Sequence, residues 1–322
     1  NIPSFRRSMD IVTMFTQSYL NLGNIEAGPV FSFYSYNTIE GSRLRFGGRT
    51  TTDFSKKVTL DGYMAYGLKD NALKYGGGIT YSLTPRTIYQ FPVTSIKVSY
   101  QKDVRIPGQE LQFTQGDNIL LSFKRGVSDK FMLNNIFRVD FLHEFENHFS
   151  YQPGYSFNRQ YAYGNLSYNS SDPLSANVIS HINISELYVN LRYAPDESFY
   201  QGKTYRTSFP NRHPIIQLKI AGGSDLINND YDYLRFQFNI SRRYYISILG
   251  YTDVALEAGK IVGQVPYSLL FMHRANQTYA YQKYSYNLMN FLEFVSDQYA
   301  SINIDHSFNG FILNKIPLIK QL

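Results

Sequence analysis

The feature that most constrains this chain is a period of two. Arg43-Leu44-Arg45-Phe46, Ile96-Lys97-Val98-Ser99-Tyr100, Ile216-Gln217-Leu218-Lys219-Ile220 and Leu234-Arg235-Phe236-Gln237-Phe238-Asn239-Ile240 all alternate polar with apolar residues. In an extended strand this places the two kinds on opposite faces. The polar face carries charges in mid-strand, as where Arg138 and Asp140 alternate with Phe137, Val139 and Phe141, or Arg192 with Leu191 and Tyr193. Such a pattern, repeated along most of a chain, suits a closed barrel with lipid outside and water inside.

Hydropathy does not reveal this. The mean hydropathy is −0.31, and no apolar run approaches the roughly 20 residues of a spanning helix. A barrel exposes only every second residue to lipid, so the average stays low. Cysteine is absent, which excludes disulfides, thiolate nucleophiles and Cys-ligated metals. The net charge of +6 comes from Lys and Arg scattered singly through strands, not gathered in a patch or tail, so nucleic acid is not expected as a partner. Asn1-Ile2-Pro3-Ser4 does not read as a secretory signal, and Leu318 to Leu322 does not read as an aromatic closing strand. The expectation is a portion of a longer precursor, lacking an N-terminal periplasmic domain and closing C-terminal strands.

Strands are expected near 10–21, 27–37, 41–52, 57–67, 74–83, 94–103, 117–126, 131–145, 155–168, 178–193, 213–222, 231–242, 244–256, 267–282 and 299–311. Irregular stretches are expected at Tyr193–Arg212 and Glu257–Val265, with 284–297 irregular or partly helical. The whole of 1–322 reads as one all-β domain, an antiparallel transmembrane outer-membrane β-barrel of roughly 14–16 strands. A soluble β-sandwich is the competing architecture, but it needs fewer and shorter strands. The 29 tyrosines suit aromatic girdles at the two bilayer interfaces. Pairs such as Tyr34 and Tyr36, Tyr63 and Tyr66, Tyr161 and Tyr163, Tyr231 and Tyr233, and Tyr244 and Tyr245 are candidates for them.

Longer stretches carry a resemblance. They include Ile2-Pro3-Ser4-Phe5-Arg6-Arg7-Ser8-Met9-Asp10, the run Glu40-Gly41-Ser42-Arg43-Leu44-Arg45-Phe46-Gly47-Gly48-Arg49-Thr50, and Gly62-Tyr63-Met64-Ala65-Tyr66-Gly67. Near the end, Asn290-Phe291-Leu292-Glu293-Phe294-Val295-Ser296-Asp297 and Phe308-Asn309-Gly310-Phe311-Ile312-Leu313-Asn314-Lys315-Ile316-Pro317-Leu318 join them. The chain resembles a family of uncharacterised Bacteroidota outer-membrane proteins that pair a carboxypeptidase-regulatory-like domain with a C-terminal barrel. That barrel is distantly similar to the bacterial surface-antigen superfamily of insertases and translocases. The resemblance implies a non-enzymatic component of a machinery that assembles or exports outer-membrane or surface proteins. It also implies the Gram-negative outer membrane as location, and outer-membrane lipid, lipopolysaccharide and protein subunits as partners. The alternatives are a passive or gated channel with a basic lumen, and a lipid-modifying enzyme of the barrel's outer wall.

The candidate site is a lumenal charge cluster of Glu40, Arg43, Arg45 and Arg49, with Gly47 and Gly48 giving room for a plug, a loop or a bend. Its arginines are expected to pair with carboxylates such as Asp61 or Asp140, acting as a latch or gate or as ordinary interior salt-bridging. Asp61, Arg138, Asp140, Arg192, Lys219 and Arg235 are further lumen-facing candidates. No catalytic, cofactor or metal residues are assigned: His143 and His148 lack zincin spacing, and His306-Ser307 are strand neighbours that point to opposite faces. Gly76-Gly77-Gly78 reads as a strand kink rather than a nucleotide loop.

Overall fold

A computed structural model describes residues 18–107, 125, 129–169, 178–279, 281–311 and 313–315. Its strands are β1 (Leu20–Asn21), β2 (Ile25–Ala27), β3 (Tyr34–Asn37), β4 (Gly41–Thr50), β5 (Val58–Gly67), β6 (Leu73–Ser82) and β7 (Thr94–Arg105). Next come β8 (Lys130–Glu144), β9 (Phe149–Gly164), β10 (Tyr168–Asn169), β11 (Val178–Ile179), β12 (His181–Tyr193), β13 (Phe199–Gln201) and β14 (Arg206–Ser208). The last are β15 (Ile215–Gly223), β16 (Tyr233–Tyr245), β17 (Tyr251–Gly263), β18 (Phe271–Met272), β19 (Val295–Ser296) and β20 (Gln298–Ser307). Fourteen of these form one antiparallel sheet in the order β1-β2-β4-β5-β6-β7-β8-β9-β12-β15-β16-β17-β20, with β3 also on β4. The long neighbours are joined in sequence order, as a meander. No helix among the described residues is long and apolar enough to cross a membrane.

Closure does not appear among the described residues. β20 pairs with β17 alone, and no ladder joins it to β1, β2 or β3. The sheet nonetheless curls. Arg43 on β4 reaches Asp103 on β7 across two intervening strands, 2.9 Å away. Thr204, in the turn between β13 and β14, donates to Glu26 on β2 at 2.8 Å.

Strand register makes the two faces chemically opposite. The main ladders run through the pairs Arg43↔Gly67, Asp61↔Gly78, Ser99↔Arg138, Asp140↔Gly154, Asn190↔Gln152, Asn190↔Lys219, Gln237↔Gly259 and Asp253↔Asp305 without a slip. Parity therefore carries from strand to strand. The concave face presents Arg43, Lys97, Asp140, Asn190, Gln217, Asn239 and Glu257. The convex face presents Leu44, Phe46, Ile79, Val98, Leu187, Leu234, Ile302 and Ile304, all of them exposed. Phe46 and Ile304 are 66% exposed while Arg43 is 3% exposed.

Tyrosine divides between the faces. Tyr34, Tyr36, Tyr66 and Tyr244 are exposed near strand ends on the convex side. Tyr63 and Tyr233, expected in a girdle, instead point inward. There each lies over a glycine directly opposite it: Tyr63 over Gly76 and Tyr233 over Gly223, as do Tyr188 over Gly154 and Tyr299 over Gly259. A Cβ at Gly154 would stand 2.5 Å from Tyr188 Cζ. Gly76-Gly77-Gly78 is thus no kink, because β6 keeps its register throughout. Gly76 makes room for the Tyr63 ring. Gly48 does the same for the β2 backbone, where a Cβ would meet Glu26 O at 2.6 Å.

Two expected elements move. The strand placed at 244–256 is β17 at Tyr251–Gly263, so the irregular stretch expected at 257–265 lies mostly inside it. The strand placed at 267–282 is an irregular connector, holding a 3-10 turn at Tyr267–Leu269 and the two-residue β18. The segment at 27–37 is split by a 3-10 turn at Val30–Ser32. The strand expected at 117–126 and most of that at 10–21 fall outside the described residues.

Replacing Gly154 by Val should destabilise the protein by about 1–3 kcal/mol through overpacking against Tyr188. Gly77 faces outward with only Asp61 O near, at 3.4 Å. Gly77→Val should be neutral or mildly stabilising in the same denaturant titration.

Candidate functional site

Two connectors fold onto the concave face, one from each rim. The upper rim carries the connections 68–72, 106–129, 165–180, 224–232 and 264–297. The lower rim carries 51–57, 83–93, 145–148, 194–214 and 246–250.

At the upper rim, Glu40 follows the tight β3–β4 turn, where Asn37 Oδ1 accepts from the Ile39 and Glu40 amides. Glu40 is ion-paired with Lys74 at 2.7 Å and accepts from Arg43 at 3.3 Å, and Arg43 also grips Asp103 at 2.9 Å. Lys74 pairs again with Asp70, which accepts from the Tyr163 hydroxyl at 3.0 Å. Tyr63 donates to the same oxygen of Asp103 that Arg43 grips. The Glu40 and Lys74 side chains are each 1% exposed. Charges so buried are tolerable only when paired.

Of the four residues expected to cluster, the structure brings two into contact. Glu40 and Arg43 belong together. Arg45 lies over the Tyr63 ring at 3.9 Å, and Arg49 pairs with Glu26 at 2.8 Å at the other rim. The expected partners do not take them. Asp61 is opposite Arg49 in register but pairs with Lys97 at 3.3 Å. Asp140 accepts from Gln152 and Tyr188. Other neighbours take the arginines instead: Glu26, opposite Arg49 on β2, and Glu40 and Asp103 beside Arg43. Lys74, Asp70 and Asp103 were missed. Lys69-Asp70-Asn71 reads as turn chemistry, and only strand register brings it beside Glu40.

Connector 264–297 enters from above. Leu269 and Phe271 sink into an apolar seat of Tyr168, Ile182, Ile184, Tyr233 and Ile261. Arg235 donates to Leu269 O at 2.6 Å and reaches Glu186 at 3.5 Å. Arg274 pairs with Glu257, and Lys283 with Asp253 and, at 3.6 Å, with Asp305. Asp253 and Glu257 project from β17 and Asp305 from β20. The wall's carboxylates thus hold the connector's cations.

Connector 194–214 covers the lower rim with the β13–β14 hairpin. Arg206 forks onto Glu144 at 2.9 and 2.5 Å, and Arg192 onto Glu197 at 2.7 Å twice. Phe91 stacks on His148 at 4.6 Å, and Phe199 meets Phe91 at a tilt, 5.3 Å away. Burial would raise the Glu197 carboxyl, but the Arg192 fork outweighs it and holds the group below its ordinary 4.5.

Between the two connectors lies a cavity of about 670 Å3. Its walls bring Gln152, Asn190, Lys219, Gln217 and Asn239 together with the Arg192 and Arg206 pairs. Lys219 stands 5.6 Å from the Tyr188 ring centre. Arg138 faces inward and is exposed. His306 shares a hydrogen bond with Thr252 on the convex face at 2.8 Å, while Ser307 points to the other face. No group of three or more His, Asp or Glu among the described residues is placed to hold a metal ion.

Fold and site together define an antiparallel β-sheet protein, polar and ion-paired within, apolar without. The chain belongs to a family of unknown function, DUF5686, whose C-terminal domain matches residues 14–322. No curated protein matches it.

Lys74→Met would leave Asp70 without its cation and Glu40 with Arg43 alone, and should cost about 3–5 kcal/mol in equilibrium unfolding. Adding Glu40→Gln should cost less than the sum of the two single changes. The Glu197 anchor has a depressed pKa, so it contributes stability above pH 4.5 and loses it as pH falls below that value. Protease cleavage in 194–214 should therefore rise only below pH 4.5, and Glu197→Gln should admit cleavage at neutral pH.

Proposed function

We propose that this chain forms the wall of a transmembrane β-barrel in the outer membrane of a Gram-negative bacterium. There it acts, without catalysis of its own, as a component of a machinery that assembles or exports outer-membrane or surface proteins. The carrying observation is the inverted polarity of an otherwise regular sheet. A convex face of Phe46, Ile79, Val98, Leu234 and Ile304 suits hydrocarbon, and a concave face of paired charges suits a lumen.

The assembly role is supported by the edge of β20, ten residues long and paired on one side only among the described residues. Hydrocarbon offers no water to such an edge, so a strand must cover it, from this chain or from a client. Lumenal occlusion by 194–214 and 264–297 weighs against a permanently open pore. The polar cavity between them favours the second reading, a gated channel. Both readings imply contact with outer-membrane lipid, and the first implies protein subunits.

The absence of cysteine makes single-cysteine labelling clean. In proteoliposomes, Phe46→Cys and Ile304→Cys should resist a charged maleimide yet react with a membrane-permeant one. Asp61→Cys should react with both. Equal reaction of all three with the charged reagent would sink the membrane reading. Mild extraction from native membrane should recover a stoichiometric protein partner. If no partner is recovered, and Arg274→Ala/Lys283→Ala raises single-channel conductance, the channel replaces the machine.

A further inference from the structure

The convex face is apolar along most of the sheet, but one row on it is not. Lys102, Asn135, Arg159 and Asn183 stand directly opposite one another across β7, β8, β9 and β12. Neighbouring strands lie about 4.8 Å apart, so Lys102 and Arg159 are separated by roughly 10 Å at the backbone, with Asn135 between. The next row toward the lower rim is Tyr100, Phe137, Phe157 and Ser185, the serine buried, and the one after it Val98, Val139, Tyr155 and Leu187.

The two cations have no carboxylate partner among the described residues. Arg159 is exposed and gives only its Nε to Asn183 Oδ1, at 3.0 Å. Asn135 Oδ1 is buried without a hydrogen-bond partner. One carboxylate approaches the row, Asp230, and Asn183 occupies it: its Oδ2 accepts from the Asn183 amide at 2.7 Å and its Oδ1 from Asn183 Nδ2 at 3.5 Å. The row is thus a pair of cations with spare donors, bordered by apolar wall.

A cation facing hydrocarbon is strongly disfavoured, whereas at headgroup level its stem lies along the apolar surface and its charge meets anions. All four residues lie toward the upper ends of their strands. That rim carries the longer connectors, which face outward in barrels of this kind.

We propose that Lys102 and Arg159, on either side of Asn135, form a binding site for the phosphate of a phosphorylated glycolipid of the outer leaflet, of the lipid A type. The Arg159 fork takes two phosphate oxygens, Lys102 a third, and the acyl chains lie along Tyr100, Phe137 and Phe157. This assignment rests on the membrane reading given above and adds to it a specific lipid and a specific place.

The test is retention of lipid by the full chain in detergent, counted by native mass spectrometry with lipid A, dephosphorylated lipid A and phosphatidylglycerol as probes. The wild type should retain one lipid A. Removing its phosphate, or making Lys102→Gln/Arg159→Gln, should each lower retention at least tenfold. Lys260→Gln, an exposed convex lysine on β17, should change nothing. The swap Lys102→Arg/Arg159→Lys should keep most retention, and it serves as the folding control for the glutamine pair. Undiminished retention in that pair, equal retention of the dephosphorylated lipid, or displacement of lipid A by an equal concentration of phosphatidylglycerol would overturn the site. If Phe46→Cys is shielded from the charged maleimide and retention is still indifferent to the variants, the site alone falls. If Phe46→Cys is open to that reagent, the membrane reading falls first.

Discussion

Everything here depends on register. From β4 to β20 each long strand keeps its pairing with the next, so every inward residue has inward neighbours on both sides. A slip of one residue anywhere would turn a row of charges outward and a row of aromatics inward. The cross-strand tyrosine–glycine pairs act against such slips. Tyr188 fits over Gly154, but one residue along it would face the side chain of a different neighbour. The ring covers the bare strand opposite and holds it in place.

The same parity decides where charge can go. With lipophilic residues outside, Arg, Lys, Asp and Glu must be satisfied within a confined space, and they solve this in two ways. Near Glu40 the wall and its own turns neutralise one another. Along β17 and β20 the wall's carboxylates pair with Arg274 and Lys283 of connector 264–297, and Asp253 pairs with Arg243 of β16 as well. The first arrangement stiffens one side of the curl. The second ties a separate segment to the wall by contacts that polar solvent can compete for.

The alternation made the strands legible, and most lie within a few residues of where the pattern puts them. β17 was misplaced because Glu257-Ala258-Gly259-Lys260 reads as a turn. In the structure Gly259 is strand, since it lies beneath the Tyr299 and Phe271 rings. Connector 267–282 was read as strand for the opposite reason. Its aromatic and aliphatic residues are real anchors, but they dock on the inside of the sheet rather than extend it. Glu40 and Arg43 were legible as a cluster because they are close in sequence. Asp103 and Glu26 were not: Asp103 approaches Arg43 through curvature, and Glu26 meets Arg49 through the register of β2 on β4, neither of which a local pattern encodes. Glycines opposite tyrosines are likewise visible only once register is known.

The Thr204–Glu26 hydrogen bond joins residues 178 positions apart, while the long strands all pair with neighbours in the meander. Those two kinds of contact carry very different loop-closure entropies. Hairpins can add one to the next as the chain emerges, each step closing only a short loop. The lid across the lower rim can form only after β2, β9 and β12 have been brought round to face one another. The wall would therefore assemble along a fast, local route, with its cover as the slow step, and an uncovered, hollow sheet is the intermediate that this order of events predicts.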